Sequence, residues 1–280
     1  MSKPGISILL LSLNEEENLP RCLDAVSWCE DILLVDSFST DRSVEIAKER
    51  GARVAQRKFV NFADQRNFGL DHDGWKHDWV LHLDADEIVS PELRTEMEQC
   101  IQNPDYDAYR IASKMMFHGK WLRRSGMFPW HQVRLGRRDK LRFVEQGHGQ
   151  REALPHERIG TLAEPFIHYT FSKGLADWVE RHNRYSSAEA AHALEATGAG
   201  PADWAGVFAT DGVRRRRACK QVFTRLPCRP LLRFLYMYVA RMGFLDGRAG
   251  WHYCCLLAVY EWLTVMKIRE LRRRAKGEPV

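Results

Sequence analysis

Three short apolar runs, each ending abruptly in polar or acidic residues, constrain this chain most: Ile6-Ser-Ile-Leu-Leu-Leu-Ser-Leu13, Ile32-Leu-Leu-Val35 and Trp79-Val-Leu-His-Leu83. Short, β-rich, continuous apolar runs read as strands buried on both faces. Amphipathic stretches separate them. Leu19, Cys22, Leu23 and Val26 recur at helical spacing after Asn14-Glu-Glu-Glu-Asn18, and Val44, Ile46 and Ala47 follow Ser39 and Thr40, either of which can cap a helix. A further short strand is expected around Ala52 to Ala55. Strand and helix in alternation predict a mostly parallel sheet with right-handed crossovers, flanked by helices: a doubly wound, nucleotide-binding α/β layer.

Such sheets bind ligands at the carboxyl ends of their strands, and the third run ends there in Asp84, Asp86 and Glu87. Residues two apart in extended chain point the same way, so Asp84 and Asp86 can converge on one hard divalent cation, or on water and ribose around it. A solvated acidic turn has the same short signature, so context must decide. The first strand is followed by no Gly-x-Gly-x-x-Gly, which argues against a nicotinamide dinucleotide.

Ser12-Leu-Asn-Glu-Glu, Val35-Asp-Ser-Phe-Ser-Thr-Asp41, Ala63-Asp-Gln-Arg-Asn67 and Leu83-Asp-Ala-Asp-Glu87, in that order and spacing, resemble the inverting family 2 glycosyltransferases, whose fold is GT-A (Rossmann-like). Further along, Arg142 to Glu152, Pro165-Phe-Ile-His168, Arg229-Pro-Leu-Leu-Arg-Phe-Leu and Gly243-Phe-Leu-Asp-Gly247 are similar to bacterial members that build lipopolysaccharide core or exopolysaccharide. The resemblance implies a set of roles. Asp36 would accept the imide N–H of a uracil, with Leu13, Asn14 and Glu15 beside base and ribose. Arg66 and Asn67 would approach the donor, Arg66 offering its planar fork to the diphosphate. Asp84 would address ribose or metal-bound water, Asp86 would ligate Mg²⁺ or Mn²⁺, and His168 would complete the metal set. Inverting transfer also needs a general base. Relatives carry a His-Glu pair, whereas here Gly149 follows His148, so Glu152, Glu145 and His148 are the candidates, Glu152 preferred because it follows the glycine-containing loop. Residue chemistry by itself leaves Asp36 as a helix-initiating acid, Arg66 as a solvated helical face and His168 as a core histidine.

Ala108 to Trp121 reads as one long strand, and Met115, Met116, Phe117, Trp121, Phe128 and Trp130 make an aromatic-rich stretch suited to sugar faces or to core; Arg123 and Arg124 would suit an acceptor phosphate. This organisation implies a nucleotide-sugar-binding half over 1–105, an acceptor-binding half over 106–170, and a basic, amphipathic helical region over 171–280. The formal charge of +5 is unevenly placed: residues 171–280 hold 19 Lys and Arg against 10 Asp and Glu. Helices are expected over Ser172 to Ala196 (broken by Gly198-Ala-Gly-Pro201), Leu231 to Met242 and Trp251 to Ile268, with basic runs at Arg214 to Arg217 and Arg272 to Arg274. Arginine-flanked amphipathic helices read as interfacial elements drawn to an anionic membrane surface, whereas His252, Glu261 and Lys267 argue against a bilayer span. A packed subdomain or dimer face is the alternative.

The seven cysteines are scattered without Cys-x-x-Cys spacing, which indicates reduced thiols, and Met1 leads into the first strand with no leader. The expected protein is cytoplasmic, peripheral or monotopic on the inner face of the cytoplasmic membrane. It moves a sugar from a nucleotide-sugar, UDP favoured, to a lipid-linked or lipopolysaccharide saccharide. A catalytically degenerate donor-binding scaffold is the rival reading. No nucleic acid is expected, since the basic tail carries no recognition motif. A nucleotidyltransferase would need a glycine-rich basic loop where Asn14-Glu-Glu-Glu stands.

Overall fold

The computed structural model describes residues 5–146, 149–197, 203–223, 226 and 228–280. The chain forms two compact units, Met1–Lys173 and Gly174–Val280.

The first unit opens as the apolar runs dictate. Strands β1 (Ile6–Ser12), β2 (Ile32–Asp36) and β3 (Arg53–Gln56) alternate with helices α1 (Leu19–Ala25) and α2 (Ser43–Glu49); α3 (Phe62–Asp71) then leads to β4 (Trp79–Asp84). They lie in the order β3-β2-β1-β4, all parallel, with Leu10 beside Leu34 and Leu83. Ile8, Leu10, Leu34, Leu81 and Leu83 face one hydrophobic layer, which takes Leu19 and Cys22 of α1. Leu9, Leu33, Val35 and Val80 face the other, with Ala63 and Leu70 of α3. A Cβ at Gly69 would clash with the Leu9 side chain, so glycine is what lets α3 settle close on β1.

A helix still follows in α4 (Pro91–Cys100), after the two-residue β5 (Glu87–Ile88), but beyond it the sheet turns mixed: β6 (Ala108–Phe117), β7 (Lys120–Trp121), β8 (His131–Arg137), the hairpin of β9 (Phe143–Gln146) and β10 (Gly149–Glu152), then β11 (Ile159–Thr161) and β12 (Phe166–His168). With no helix between β6 and β8 the chain returns antiparallel, and β8 inserts between β4 and β6. The expected single strand from Ala108 to Trp121 is corrected here. His118 and Gly119 both take positive φ, 47° and 72°, as a two-residue hairpin loop requires, and Lys120–Trp121 folds back onto Phe117 and Met116. Ser39 and Thr40 do not cap α2 either. Asp41 stands nearer the helix start, and its carboxylate accepts from the N–H groups of Ser43 and Glu16 at 2.9 and 3.0 Å.

In the second unit, α5 (Gly174–Thr197) packs against α8 (Gly247–Ala275), and Lys267 donates to Asn183, Ser186 and Ser187. Between them come α6 (Gly212–Phe223) and α7 (Arg229–Leu235), the latter tied to α8 by the buried Arg229–Glu261 ion pair. The helix expected over Leu231 to Met242 is shorter: α7 passes into one π-helical turn at Tyr236–Ala240, and Met242, at φ 57°, ends it. The breaker at 198–201 lies outside the described residues. Among the described residues no helix is long and apolar enough to cross a membrane.

Asp31, 2% exposed, fastens the opening of the sheet: its carboxylate accepts from Ser7 Oγ, from the Lys76 N–H at 2.7 Å and from Arg53 at 2.9 Å. Burial opposes its ionisation, but these donors more than offset that and hold its pKa below the usual carboxylate value. Its stabilisation is therefore present above the unfolded-state pKa and lost as pH falls through the lower folded-state value. Asp31→Ala is expected to cost about 2–4 kcal/mol in urea unfolding and to flatten the acid limb of stability against pH.

Candidate active site

β4 alternates its side chains, so Val80, His82 and Asp84 face α3 while Leu81 and Leu83 face α1. Arg66 of α3 is only 2% exposed and meets Asp84 there, Nη2 to Oδ1 at 2.8 Å. Arg134 reaches the other oxygen of Asp84 at 2.7 Å and Glu87 at 2.9 Å. Its approach has a backbone cause. Tyr109 pairs with Leu135 but Arg110 pairs with Val133, so Arg134 is the extra residue of a β-bulge, re-aimed out of the regular alternation of β8.

The result is a lattice of two buried arginines, the buried Glu87 and the half-buried Asp84. Burial alone would raise the Asp84 pKa, but Arg134 and Arg66 hold it far below the ordinary value; Glu87, fully buried, is shifted upward by desolvation despite Arg134. Desolvation brings Arg66 down to about 10, still charged at neutral pH. Its Nε and Nη1, and Nη1 of Arg134, have no hydrogen-bond partner among the described residues. His82 lies behind them, edge-on to Phe143 at 5.0 Å, kept neutral by burial and then by the two arginines.

Asp86 sits in the turn between β4 and β5. Because β5 pairs antiparallel with β12, Glu87 lies beside His168, and this brings His168 Nε2 to 3.3 Å from Asp86 Oδ2. Burial disfavours the imidazolium, but the Asp86 carboxylate outweighs it and lifts the His168 pKa to about 9. A carboxylate oxygen and an imidazole nitrogen so placed fit a divalent cation that keeps most positions for water and phosphate oxygens. Among the described residues no group of three or more His, Cys, Asp or Glu side chains has metal-binding geometry.

Asp36 is fully buried, accepting from Ser12 Oγ at 3.0 Å, Gln56 at 3.2 Å, the Ser39 N–H at 3.0 Å and the Ser39 hydroxyl. It thereby fixes the loop facing Leu13, Asn14 and Glu15. Leu13 is exposed, Asn14 takes φ 54° and receives the Thr40 N–H at 2.8 Å, and Glu15 pairs with Lys173. Asn67 clamps α3 to the hairpin, its amide exchanging hydrogen bonds with the Phe143 N–H and carbonyl at 3.0 and 2.8 Å. Glu152 pairs with Phe143 and Glu145 lies two residues on, so both share Phe143's face of the β9–β10 hairpin. Glu145 is exposed and accepts from Asn61 at 3.3 Å; Glu152 is half-buried. His148 lies outside the described residues.

Arg134 and Lys173 escaped the sequence reading. The available signal for Arg134 was one charge inside the apolar Val133-Arg-Leu135; Lys173 gave none.

The model of the glycosyl transferase family 2 matches residues 7–151, from β1 through this hairpin, and the chain belongs to that family. An uncharacterized glycosyltransferase of Rickettsia typhi is 34% identical over 118 residues, 41% of this chain and 40% of that protein, so the match spans well under half the relative's length. The lipopolysaccharide core biosynthesis glycosyltransferase LpsC of Rhizobium meliloti is 24% identical over 283 residues, 99% of this chain and 96% of its own. Among solved structures, glucosyl-3-phosphoglycerate synthase from Mycobacterium tuberculosis, crystallised with Mn²⁺, UDP and glucosyl-3-phosphoglycerate, is similar at TM-score 0.46 and 16% identity, over 63% of this chain and 75% of that one.

Removing one member of the lattice strands a buried charge. Arg134→Met is expected to cost about 3–5 kcal/mol, and Arg134→Met/Glu87→Gln distinctly less, since the second change removes the orphaned carboxylate. Equal losses in chemical denaturation would refute the pairing.

Proposed function

We propose that this protein is an inverting glycosyltransferase that moves a sugar from a nucleoside-diphosphate donor, UDP favoured, to a lipopolysaccharide-core or lipid-linked saccharide. The observation that carries this reading is the half-used guanidinium of Arg66. A buried cation, fixed by Asp84 and with donors to spare, suits diphosphate oxygens. The similarity to LpsC over nearly the whole chain supports the acceptor class.

Leu13, Asn14 and Glu15 would flank the nucleoside, on the loop that Asp36 holds in shape. Asp84 steadies Arg66 toward the diphosphate, and Asn67 holds α3 against the hairpin that carries the base. Asp86 and His168 would hold Mg²⁺ or Mn²⁺, with Asp84 close by; when bound, such an ion offsets the negative charge of the departing nucleoside diphosphate. Glu152 takes the proton of the acceptor hydroxyl as its oxygen bonds to the anomeric carbon, on the face opposite the breaking bond to diphosphate. Glu145 shares its face and is the alternative base, with His148 a third candidate.

The second unit would serve the acceptor's location. Leu231, Tyr236, Val239, Leu245 and Trp251 are exposed together with Arg214, Arg215 and Arg216, a composition suited to the interface of an anionic inner-membrane surface.

Thermal-shift titration with UDP, GDP, dTDP and CDP, with and without Mn²⁺, tests the donor assignment: UDP should stabilise the protein, more so with metal. Asp86→Asn is expected to stay folded, lose the metal dependence and lower turnover roughly 10²–10³-fold. Arg66→Met should lower stability and weaken UDP binding, the latter read by titration where circular dichroism shows the variant folded. Nucleotide binding without transfer to any saccharide would identify the degenerate scaffold. In flotation assays, replacing Arg214, Arg215 and Arg216 by Gln should reduce binding to phosphatidylglycerol vesicles, and unchanged binding would remove the membrane assignment.

A further inference from the structure

The β6–β7 hairpin holds charges that the proposed transfer leaves unused. Lys114 of β6 precedes Met115, the residue in register with His168. By strand alternation it lies on the opposite face of β6, the face it shares with Ala108. Trp121 pairs with Met116 on this face, and the Leu122 N–H donates to the Met115 carbonyl at 2.9 Å, which fixes the return of the chain.

Two cations converge on Trp121. Lys114 Nζ lies 4.8 Å from the ring centroid and Arg123 Cζ 5.5 Å, while Phe128 meets the indole edge-on at 5.0 Å. Neither cation has a carboxylate partner among the described residues. A salt bridge would position and neutralise such groups together; an aromatic ring positions them and leaves their charge available. Two like charges near one ring repel, and a bound anion would relieve that repulsion. The indole Nε1 is a buried donor with no acceptor among the described residues, which adds a hydrogen bond of the same polarity.

We propose that Lys114, Arg123 and the Trp121 N–H form an anion subsite that receives a carboxylate or phosphate carried by the acceptor, so that the acceptor is an acidic saccharide. The assignment of this anion to the acceptor rests on the transferase reading above.

The test is titration of the full chain with glucose 6-phosphate, glucuronate and neutral glucose, at low and physiological salt, beside UDP as a separate arm. Both acidic sugars should bind about tenfold or more tightly than glucose and lose that advantage as salt rises. Lys114→Gln/Arg123→Gln should abolish the preference, and Trp121→Phe, which keeps a ring but removes the N–H, should reduce it, with UDP binding unchanged in both. Equal binding of the three sugars, or a preference that survives the double variant, overturns the subsite. Reduced binding of the double variant to phosphatidylglycerol vesicles with unaltered sugar preference assigns the charges to lipid and also overturns it. An intact acidic-sugar preference in a protein that binds no nucleotide would defeat the transferase reading and leave the anion subsite standing.

Discussion

The pairing of Arg66 and Arg134 with Asp84 and Glu87 is the interaction on which the candidate site depends. Removing an ion from water costs several kcal/mol, so Arg66, Arg134 and Glu87 could not stay buried without partners, and the half-buried Asp84 supplies one. Together they form a nearly neutral unit, and its members come from α3, the end of β4, β5 and β8. The parallel half of the sheet is thereby joined to the mixed half at the point where the strands present their carboxyl ends. Arg66 Nε and Nη1 and Arg134 Nη1 keep donors that this lattice does not use.

Most of the first four strands was legible because the physics there is local. Ile6–Ser12, Ile32–Asp36 and Trp79–Asp84 are short, largely apolar runs bounded by polar residues, which suit strands buried on both faces of a parallel sheet. The same holds for α5 and α8, whose apolar residues recur at helical spacing. Later elements were less legible because non-local pairing decides them. The reversal at His118 and Gly119 depends on two backbone angles, not on a hydrophobic pattern, and the π-helical turn after Leu235 interrupts residues that read smoothly as helix. The site divides likewise. Ordered motifs pointed to Asp84, Asp86 and Arg66, and the β5–β12 pairing that brings His168 to Asp86 had a sequence counterpart only in family resemblance. Arg134 was hidden because periodicity assumes regular alternation, and the bulge suspends it.

Several residues singled out for contact with a donor also hold the scaffold together. Asp36 has its oxygens filled by Ser12, Ser39 and Gln56, and Asn67 spends its amide on the Phe143 backbone. Such residues define the shape of a loop or the seat of a helix, and through it the position of neighbouring charged groups. Effects of replacing them on function and on stability are therefore coupled.

The bulge in β8 divides that strand into two reading frames. His131 to Val133 and Leu135 to Arg137 each keep a period of two, but they are out of phase by the one residue that carries the guanidinium. Excising Arg134 would leave Val133 followed directly by Leu135 and a regular ladder, the conformation β pairing favours by itself. The smoother sheet would have lost the cation that bridges Asp84 and Glu87. Here the irregularity is the coding element: this family member keeps a fault in its hydrogen-bond lattice so that a charge can stand where uninterrupted pleating would have turned it to the wrong face.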